Sequence, residues 1–297
     1  MAKAYIFYNP LAGKGSIREE LSALQMLVRD EAVLCDMTKP ETYESSLFSL
    51  GAEDYIILCG GDGTLNRFVN FTDGTEIKNE ILYYPIGTGN DFALDLGKHF
   101  EAPPFCITEY LKDLPYVEVK RRKYRFLNGV GYGIDGYCCE IGDKLKKADG
   151  KPRSVSSIAI RGLLFHYRPT NARVTVDGIT HTYNRVWLAP TMNGRFYGGG
   201  MMPTPNQSRK GSGRMLSVMV LHDSGKLKTL AVFPSIFKGK HIAHKKIVDV
   251  LTGHRITVEF DRPTALHIDG ELILNVSSYT ASLPPAPPES AYACAAF

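Results

Sequence analysis

The N-terminal part of the chain alternates short apolar runs with amphipathic stretches. Apolar runs of strand length occupy 4–8, 33–37, 55–58 and 81–84. Between them, 17–28 and 41–50 carry apolar residues at helical spacing, and Leu65, Phe68 and Val69 do so after the third run. Strands that alternate with helices predict a parallel sheet covered on both faces.

The pattern changes after Pro103-Pro104, where many strands alternate apolar and polar residues and predict an antiparallel sheet or sandwich. The predicted strands are 117–119, 124–133, 172–176, 183–189, 215–221, 247–251, 255–260 and 265–268. Two helical stretches interrupt them, at about 137–148 and 154–166.

The sequence therefore predicts two domains that meet near 115–122. An α/β nucleotide-binding domain built on a parallel sheet would occupy 1–118, and a β-sandwich domain with two inserted helices would occupy 119–282. The Pro/Ala-rich stretch 283–297 predicts a loosely held tail.

Composition narrows the class of protein. A net charge of +4 over 297 residues suits an anionic ligand or a membrane surface and is too weak to indicate nucleic acid. The six cysteines lack C-x-x-C spacing, which argues against zinc and disulfide frameworks. The start shows no signal-peptide pattern, and no apolar run reaches the roughly 20 residues of a membrane span. We expect a cytoplasmic protein whose membrane contact, if any, is peripheral.

Glycine-rich turns follow three of the predicted strands. They are Asn9-Pro10-Leu11-Ala12-Gly13-Lys14-Gly15-Ser16, Gly60-Gly61-Asp62-Gly63-Thr64 and Gly87-Thr88-Gly89-Asn90-Asp91-Phe92. Glycine brings the backbone close to a ligand, and amides at a helix start point at an anion. Turns at the carboxyl ends of parallel strands converge on one cleft, which predicts a phosphate site.

Asp62 stands among the glycines of the second turn, where a carboxylate would repel phosphates. Its position implies either Mg²⁺ or a hydroxyl proton to be taken. The plain alternative is a tight turn with an N-capping aspartate. The first turn lacks Walker A spacing, although Lys14 could still act there as a point charge on phosphate, and a surface turn is the alternative.

In their order along the chain, these turns resemble the catalytic domain of the diacylglycerol kinase family, which includes bacterial lipid kinases, sphingosine kinases and ceramide kinases. Later segments match the same family, namely Asn128-Gly129-Val130-Gly131-Tyr132-Gly133-Ile134-Asp135, Tyr197-Gly198-Gly199-Gly200-Met201 and Ile268-Asp269-Gly270-Glu271. The resemblance covers residues 4 to about 280. The second turn alone is also similar to NAD kinases and phosphofructokinases, whereas the ordered set is specific.

The resemblance implies transfer of the γ-phosphoryl group of ATP to a lipid hydroxyl, in a cleft between an ATP-binding domain and a larger β-sandwich. It implies nucleotide contacts at Asn9, Gly13, Lys14 and Gly15. It implies contacts to the phosphates and Mg²⁺ at Gly61, Asp62, Gly63 and Thr64, with Asp62 as the metal ligand. It places Thr88, Asn90 and Asp91 where nucleotide and acceptor meet.

Glu271 resembles the family's general base, which would take the proton of the acceptor hydroxyl. One carboxylate on a metal and another near the nucleophile is the minimal set for phosphoryl transfer. Without the other motifs, Asp269-Gly270-Glu271 would be interpreted as a hairpin turn.

The chain departs from the family after the Gly-Gly-Gly turn. Many bacterial members carry aspartates there that hold a structural Mg²⁺, whereas this chain has 210–217 with Ser212, Arg214 and Ser217. With Asp135 as the remaining carboxylate, the residues suit Mg²⁺ poorly. We expect the structural metal to be absent and Arg214 to pair with Asp135.

The acceptor and partners are less defined. Basic and apolar residues between Lys144 and Phe165 could rest on an anionic membrane surface, or the segment could pack its apolar face on the sandwich. We expect a lipid substrate at the membrane surface and no nucleic acid, and a homodimer is left open. Two alternatives to a lipid kinase remain: a kinase of a soluble acceptor such as NAD, and a nucleotide-binding regulator without catalysis. Apolar acceptor pockets are too degenerate for the sequence to name the lipid.

Overall fold

The computed structural model describes residues 2–10, 17–99, 102–149, 167–211 and 213–285. Its N-terminal sheet has five strands in the order β2-β1-β3-β4-β5. They are β1 (Lys3–Tyr8), β2 (Glu31–Asp36), β3 (Tyr55–Gly60), β4 (Ile81–Pro85) and β5 (Phe105–Cys106). The helices are α1 (Ile17–Leu27), α2 (Pro40–Phe48), α3 (Asp62–Phe71), α4 (Asp91–Asp95) and α5 (Thr108–Leu111).

The parallel sheet predicted from the alternating pattern is confirmed. Strands β2, β1, β3 and β4 are parallel, and the short β5 pairs antiparallel with β4. Alternate residues of β1 enter different buried clusters, Tyr5 and Phe7 in one and Ala4 and Ile6 in the other. Both faces of the sheet are therefore covered, as the period of a strand requires.

The second sheet is antiparallel and has ten strands. They are β6 (Tyr116–Val119), β7 (Arg122–Arg125), β8 (Gly129–Tyr132), β9 (Thr170–Val176), β10 (Ile179–Val186), β11 (Thr191–Met192), β12 (Leu216–Leu221), β13 (Val248–Gly253), β14 (Arg255–Ile268) and β15 (Glu271–Ser282). Its main order is β13-β12-β11-β8-β14-β15-β6-β7, with β9 beside β14 and β10. A sandwich-like β domain thus follows the α/β domain, as predicted.

Among the described residues, the helices of the second domain are α6 (Ile134–Asp149) and α7 (Lys226–Val232), with 3₁₀ turns at Phe233–Lys238 and Lys240–Ala243. Helix α6 corresponds to the first predicted insertion and begins earlier than expected. The second, at 154–166, lies outside the described residues, as does the tail from 286. Within the described part of the chain, no helix is long and apolar enough to cross a membrane.

Several strand predictions were wrong in their limits. The run predicted at 124–133 is two strands, β7 and β8, because the backbone between them turns away from the ladder to meet Asp269. The runs 255–260 and 265–268 form one strand, β14, whose register shifts in the middle. Strands β5, β11 and β15 and helices α5 and α7 were not predicted. Strand β6 pairs with β15 in the second sheet, so the division at 118–119 falls within that strand.

Candidate active site

The turns after β3 and β4 lie side by side and touch through glycine. A methyl group at Gly87 would lie 2.5 Å from Gly61 Cα, which leaves room only for hydrogen. Asn90 closes the turn after β4 in the left-handed region, at φ 49°. Its Nδ2 donates to Gly87 O at 2.8 Å, and Tyr83 OH donates to its Oδ1 at 3.3 Å. The glycines permit the close approach, and the buried Asn90 amide fixes the turn.

Asp62 joins the turn after β3 to the start of α4. Its Oδ2 accepts from Asp91 N and its Oδ1 from Phe92 N, both at 2.9 Å. The side chain of Asn128, just before β8, also donates to Oδ1, at 2.9 Å. Amides at a helix start stabilise a carboxylate. Asp62 therefore caps α4 and also contacts the second domain.

Asp91 connects α4 to the Gly-Gly-Gly turn. Its Oδ2 accepts from Gly199 N at 2.8 Å and its Oδ1 from Gly200 N at 2.7 Å. Both glycines have positive φ, which L side chains rarely adopt, so the turn needs glycine to present these amides. Burial and the nearby Asp62 carboxylate raise the pKa of Asp91 to about 7, against the lowering effect of the two amides.

Asp269 is a half-buried anchor between the domains. Its Oδ1 accepts from Asn128 N and Gly129 N, and its Oδ2 accepts from Leu127 N and from Asn66 Nδ2 on α3. Burial raises the pKa of Asp269, while these donors lower it. The contacts hold the start of β8 against α3.

Glu271 follows Asp269 through a tight hairpin. Asp269 and Gly270 both have positive φ, and Ile268 pairs with Glu271, as in a two-residue hairpin loop. The exposed Glu271 side chain points at the start of α3, since a methyl group at Gly63 would lie 4.0 Å from its Oε1. The segment is a hairpin turn and also brings a carboxylate of the second domain to the glycine turn of the first.

The other predicted site residues occupy different surroundings. Thr88 is exposed, whereas Thr64 is buried with its hydroxyl turned toward Gly60, where a methyl group would lie 2.1 Å from Oγ1. Asn9 is half-buried at the end of β1. Gly13, Lys14 and Gly15 lie outside the described residues. The nucleotide contacts assigned to these positions stay predictions.

The donors around Asp62 decide how it could bind Mg²⁺. Oδ1 already accepts two hydrogen bonds, and Oδ2 accepts one. Oδ2 also faces Gly89. A methyl group at Gly89 would lie 3.6 Å from Asp62 Oδ2 and 3.8 Å from Asp91 Oδ2. Among the described residues, no three His, Cys, Asp or Glu side chains form a metal cage. These residues would suit an Mg²⁺ held by Asp62 Oδ2 and otherwise hydrated, since that ion usually keeps several waters.

The expected pairing of Arg214 with Asp135 was wrong. Arg214 donates to Asn193 Oδ1 at 2.8 Å and to Asp113 O at 3.1 Å. Asp135 is buried at the start of α6, where its Oδ2 accepts from Tyr197 OH at 2.9 Å. Arg214 reaches backbone and amide oxygens elsewhere. Ser212 lies outside the described residues, and Ser217 donates to Gln207.

Sequence reasoning missed three polar residues of the site, namely Asn66, Asn128 and Arg209. Asn128 is the first residue of a segment that matches the family. A polar residue next to a glycine-rich strand could therefore have been predicted as part of the site. Arg209 lies near Arg214 in the chain, and nothing in the local pattern distinguishes the two. Asn66 lies on the first turns of α3, where its contact with Asp269 depends on the fold of the other domain.

A parallel α/β domain whose glycine turns meet the carboxylates of an antiparallel β domain defines a two-domain kinase. The family model of the diacylglycerol kinase catalytic domain matches residues 3–113, and that of the YegS C-terminal NAD kinase beta sandwich-like domain matches 128–286. The chain belongs to the diacylglycerol kinase family, and it is a phosphotransferase that uses ATP or another nucleotide.

Similar proteins agree with this assignment. A diacylglycerol kinase of Mycobacterium tuberculosis (strain H37Rv) is 25% identical over 300 residues, covering 96% of this chain and 94% of the relative. A diacylglycerol kinase of Bacillus subtilis (strain 168) is 25% identical over 287 residues, covering 91% and 90%. The crystal structure of a diacylglycerol kinase from Bacillus anthracis superposes with a TM-score of 0.59 at 18% identity, covering 95% of this chain and 93% of that one. The structural likeness extends over both domains.

Proposed function

We propose that the protein transfers the γ-phosphoryl group of ATP to the hydroxyl of a lipid such as diacylglycerol. The observation that carries the proposal is the position of Glu271. Its carboxylate comes from the second domain and lies 4.0 Å from where a methyl group at Gly63 would stand. A proton acceptor therefore faces the helix start that would hold the phosphates.

The residues divide the work as follows. Amides at the start of α3 bind phosphate oxygens, and the absence of a side chain at Gly63 leaves space for them. Glu271 accepts the proton of the acceptor hydroxyl while the hydroxyl oxygen bonds to the γ-phosphorus. The bond from that phosphorus to the leaving ADP breaks in the same step. Asp62 fixes α4, which holds Asp91 and the Gly-Gly-Gly turn beside the acceptor.

Mg²⁺ would be held by Asp62, and when bound it would neutralise charge on the phosphates. Asp91 stays with the glycine amides and is not needed as a ligand. Water and nucleotide oxygens would complete the ligand set of Mg²⁺, as is usual for this ion.

Two observations support a lipid acceptor. The Gly87-Thr88-Gly89-Asn90-Asp91-Phe92 turn is similar to the lipid branch of the superfamily. Two relatives that each align over more than nine-tenths of the chain are named diacylglycerol kinases. We also propose that the protein works in the cytoplasm and meets its lipid at a membrane surface through peripheral contact. The segment that could make this contact, up to Phe165, lies largely outside the described residues.

An acceptor assay tests the proposal. Purified protein would be incubated with radiolabelled ATP and Mg²⁺, in parallel with vesicles of extracted lipids containing diacylglycerol and with NAD. Lipids would be separated by thin-layer chromatography and identified by mass spectrometry. A Glu271→Gln variant purified in the same way controls for a contaminating kinase.

The proposal expects label in a phosphorylated lipid, none in NADP, and a much lower signal from the variant. Label in NADP alone would contradict it in favour of the soluble acceptor. ATP binding without transfer to any acceptor would contradict it in favour of a nucleotide-binding regulator.

A further inference from the structure

Helix α4 is held at both ends, and the two ends use different partners. Asp62 caps its first amides, as described above. At its last residue, Asp95 Oδ1 accepts from Arg195 Nε at 2.7 Å, and Asp95 Oδ2 accepts from Arg209 Nε. The Asp95 and Arg209 side chains are only 5% and 6% exposed. Two arginines of the second domain therefore bind one buried carboxylate of the first.

Arg209 does more than pair with Asp95, because its guanidinium continues along α4 toward Asp62. Its Cζ lies 4.8 Å from the centre of the Phe92 ring. Its Nη1 donates to Leu127 O and its Nη2 donates to Asn128 Oδ1, both at 2.6 Å. The planar fork of arginine makes these contacts at once, which the single ammonium of lysine cannot do.

The space for this guanidinium depends on Gly194. A methyl group there would lie 2.0 Å from Arg209 Nη2. The backbone of Gly194 also donates to Asn128 O at 3.1 Å. The fit of Arg209 against Asn128 is thus a close-packed feature of the fold rather than a chance surface contact.

Asn128 has its amide between a cation and an anion. Its Oδ1 accepts from Arg209, so its Nδ2 faces Asp62 Oδ1, to which it donates at 2.9 Å. The Asp62 carboxylate favours the NH₂ end of the amide on its side, and the guanidinium favours the oxygen end on the other side. The opposite orientation would set two oxygens against each other. Arg209 and Asp62 therefore fix the orientation of the Asn128 amide together, and Arg209 holds that amide from the side away from Asp62.

We propose that Arg209 is a positioning residue for phosphoryl transfer, which acts through Asn128 on the carboxylate of Asp62. With Asn128 and Phe92 N on Oδ1, the unfilled lone pair of Asp62 lies on Oδ2 and faces Gly89. This inference rests on the proposed function, since it assumes that Asp62 serves the transferring phosphates. Asn128 links Arg209 to Asp62, and Asp95 holds Arg209 in place.

An Arg209→Lys variant tests the proposal, because lysine keeps the charge beside Asp95 and loses the contact with Asn128. The matched control is Arg195→Lys, which changes the other arginine on Asp95 and leaves Asn128 untouched. We expect kcat of Arg209→Lys to fall by roughly tenfold to a hundredfold, with the Kd for ATP close to wild type. A small displacement of a catalytic group slows the chemical step more than it weakens nucleotide binding. Arg195→Lys should fall far less.

A double mutant separates positioning from general stabilisation. If Arg209 acts through Asn128, Arg209→Lys should have little further effect on kcat in an Asn128→Ala background. If the two variants reduce kcat by independent factors that multiply in the double mutant, the inference is overturned, and so it is by an unchanged kcat in Arg209→Lys.

If Arg209→Lys does not fold, the Asn128→Ala variant alone decides. The inference requires its kcat to fall while its ATP affinity is retained, and any other result overturns the inference. All rates use whichever acceptor the wild type phosphorylates. A wild type that phosphorylates none overturns the proposed function as well, whereas an active wild type beside an unaffected variant overturns only this inference.

Discussion

Asp62 is both a candidate metal ligand and a structural cap, so its replacement should have two effects. In Asp62→Asn, the amide NH₂ would face at least one of the donors that the carboxylate now accepts. We expect the free energy of unfolding to fall by about 1–3 kcal/mol, and phosphoryl transfer to fall by at least about a thousandfold. Urea unfolding and initial rates measure the two effects. Near-wild-type turnover in folded protein would contradict the role of Asp62.

Asp269 makes a sharper stability prediction, because both of its oxygens accept two hydrogen bonds. In Asp269→Asn, the NH₂ group would face two donors whichever way the amide turns. We expect the free energy of unfolding to fall by about 3 kcal/mol or more, since buried donors would lose their acceptor. The control is Asp261→Asn on β14, the strand that precedes Asp269, where the side chain is exposed and the change in the free energy of unfolding should stay within about 0.5 kcal/mol. Equal unfolding midpoints for both variants would show that the anchor contributes little.

At the scale of single residues, the sequence predicts site residues that lie inside a motif and misses residues whose partners are distant in the chain. Asp62 and Glu271 stand in glycine turns whose chemistry is local. Asn128 and Arg209 are separated by 81 positions in the chain, and Asn128 and Asp62 by 66. No local pattern marks such contacts, because they exist only once the two domains meet.

At the scale of elements, the turns after β3 and β4 pack against each other through Gly61 and Gly87. In Gly87→Ala the added methyl would stand 2.5 Å from Gly61 Cα and 2.6 Å from Asn90 Oδ1. We expect the free energy of unfolding to fall by about 1–3 kcal/mol, because the turns would be overpacked. Gly63→Ala is the control, since among the described residues outside α3 its methyl would meet only Glu271 Oε1, at 4.0 Å, and alanine suits a helix better than glycine. Thermal unfolding compares the two, and an equally stable Gly87→Ala would contradict the contact.

Element types followed from the pattern better than element limits did. The four parallel strands followed from short apolar runs, and α1 to α3 followed from apolar residues at helical spacing. Strand β14 was divided in the prediction because Asp261, Arg262 and Pro263 interrupt its apolar pattern, whereas its ladder continues past them with a register shift. Strand β15 alternates weakly, with exposed residues such as Leu274 on one face, and was missed.

At the scale of the whole molecule, the two domains are joined by buried polar contacts rather than by an apolar interface alone. Asn66 on α3 donates to Asp269, Asp91 accepts from the Gly-Gly-Gly turn, and Asp62 accepts from Asn128. The same contacts bring Glu271 to Gly63. The order of motifs indicated that a cleft would form, and only the folded chain shows which side chains bridge it and which face it.

The central claim is that Glu271 serves the chemical step across this cleft. Glu271→Gln keeps the size of the side chain and removes its ability to take a proton, and the residue is exposed, so the variant should fold normally. The decisive measurement is kcat for the phosphorylated acceptor together with the Kd for ATP, in wild type and variant. We predict that kcat falls by roughly 10²–10⁴-fold while the Kd for ATP stays close to wild type. An ATP affinity that falls as much as kcat would place Glu271 in the nucleotide site, and an unchanged kcat would show that it takes no part in the transfer.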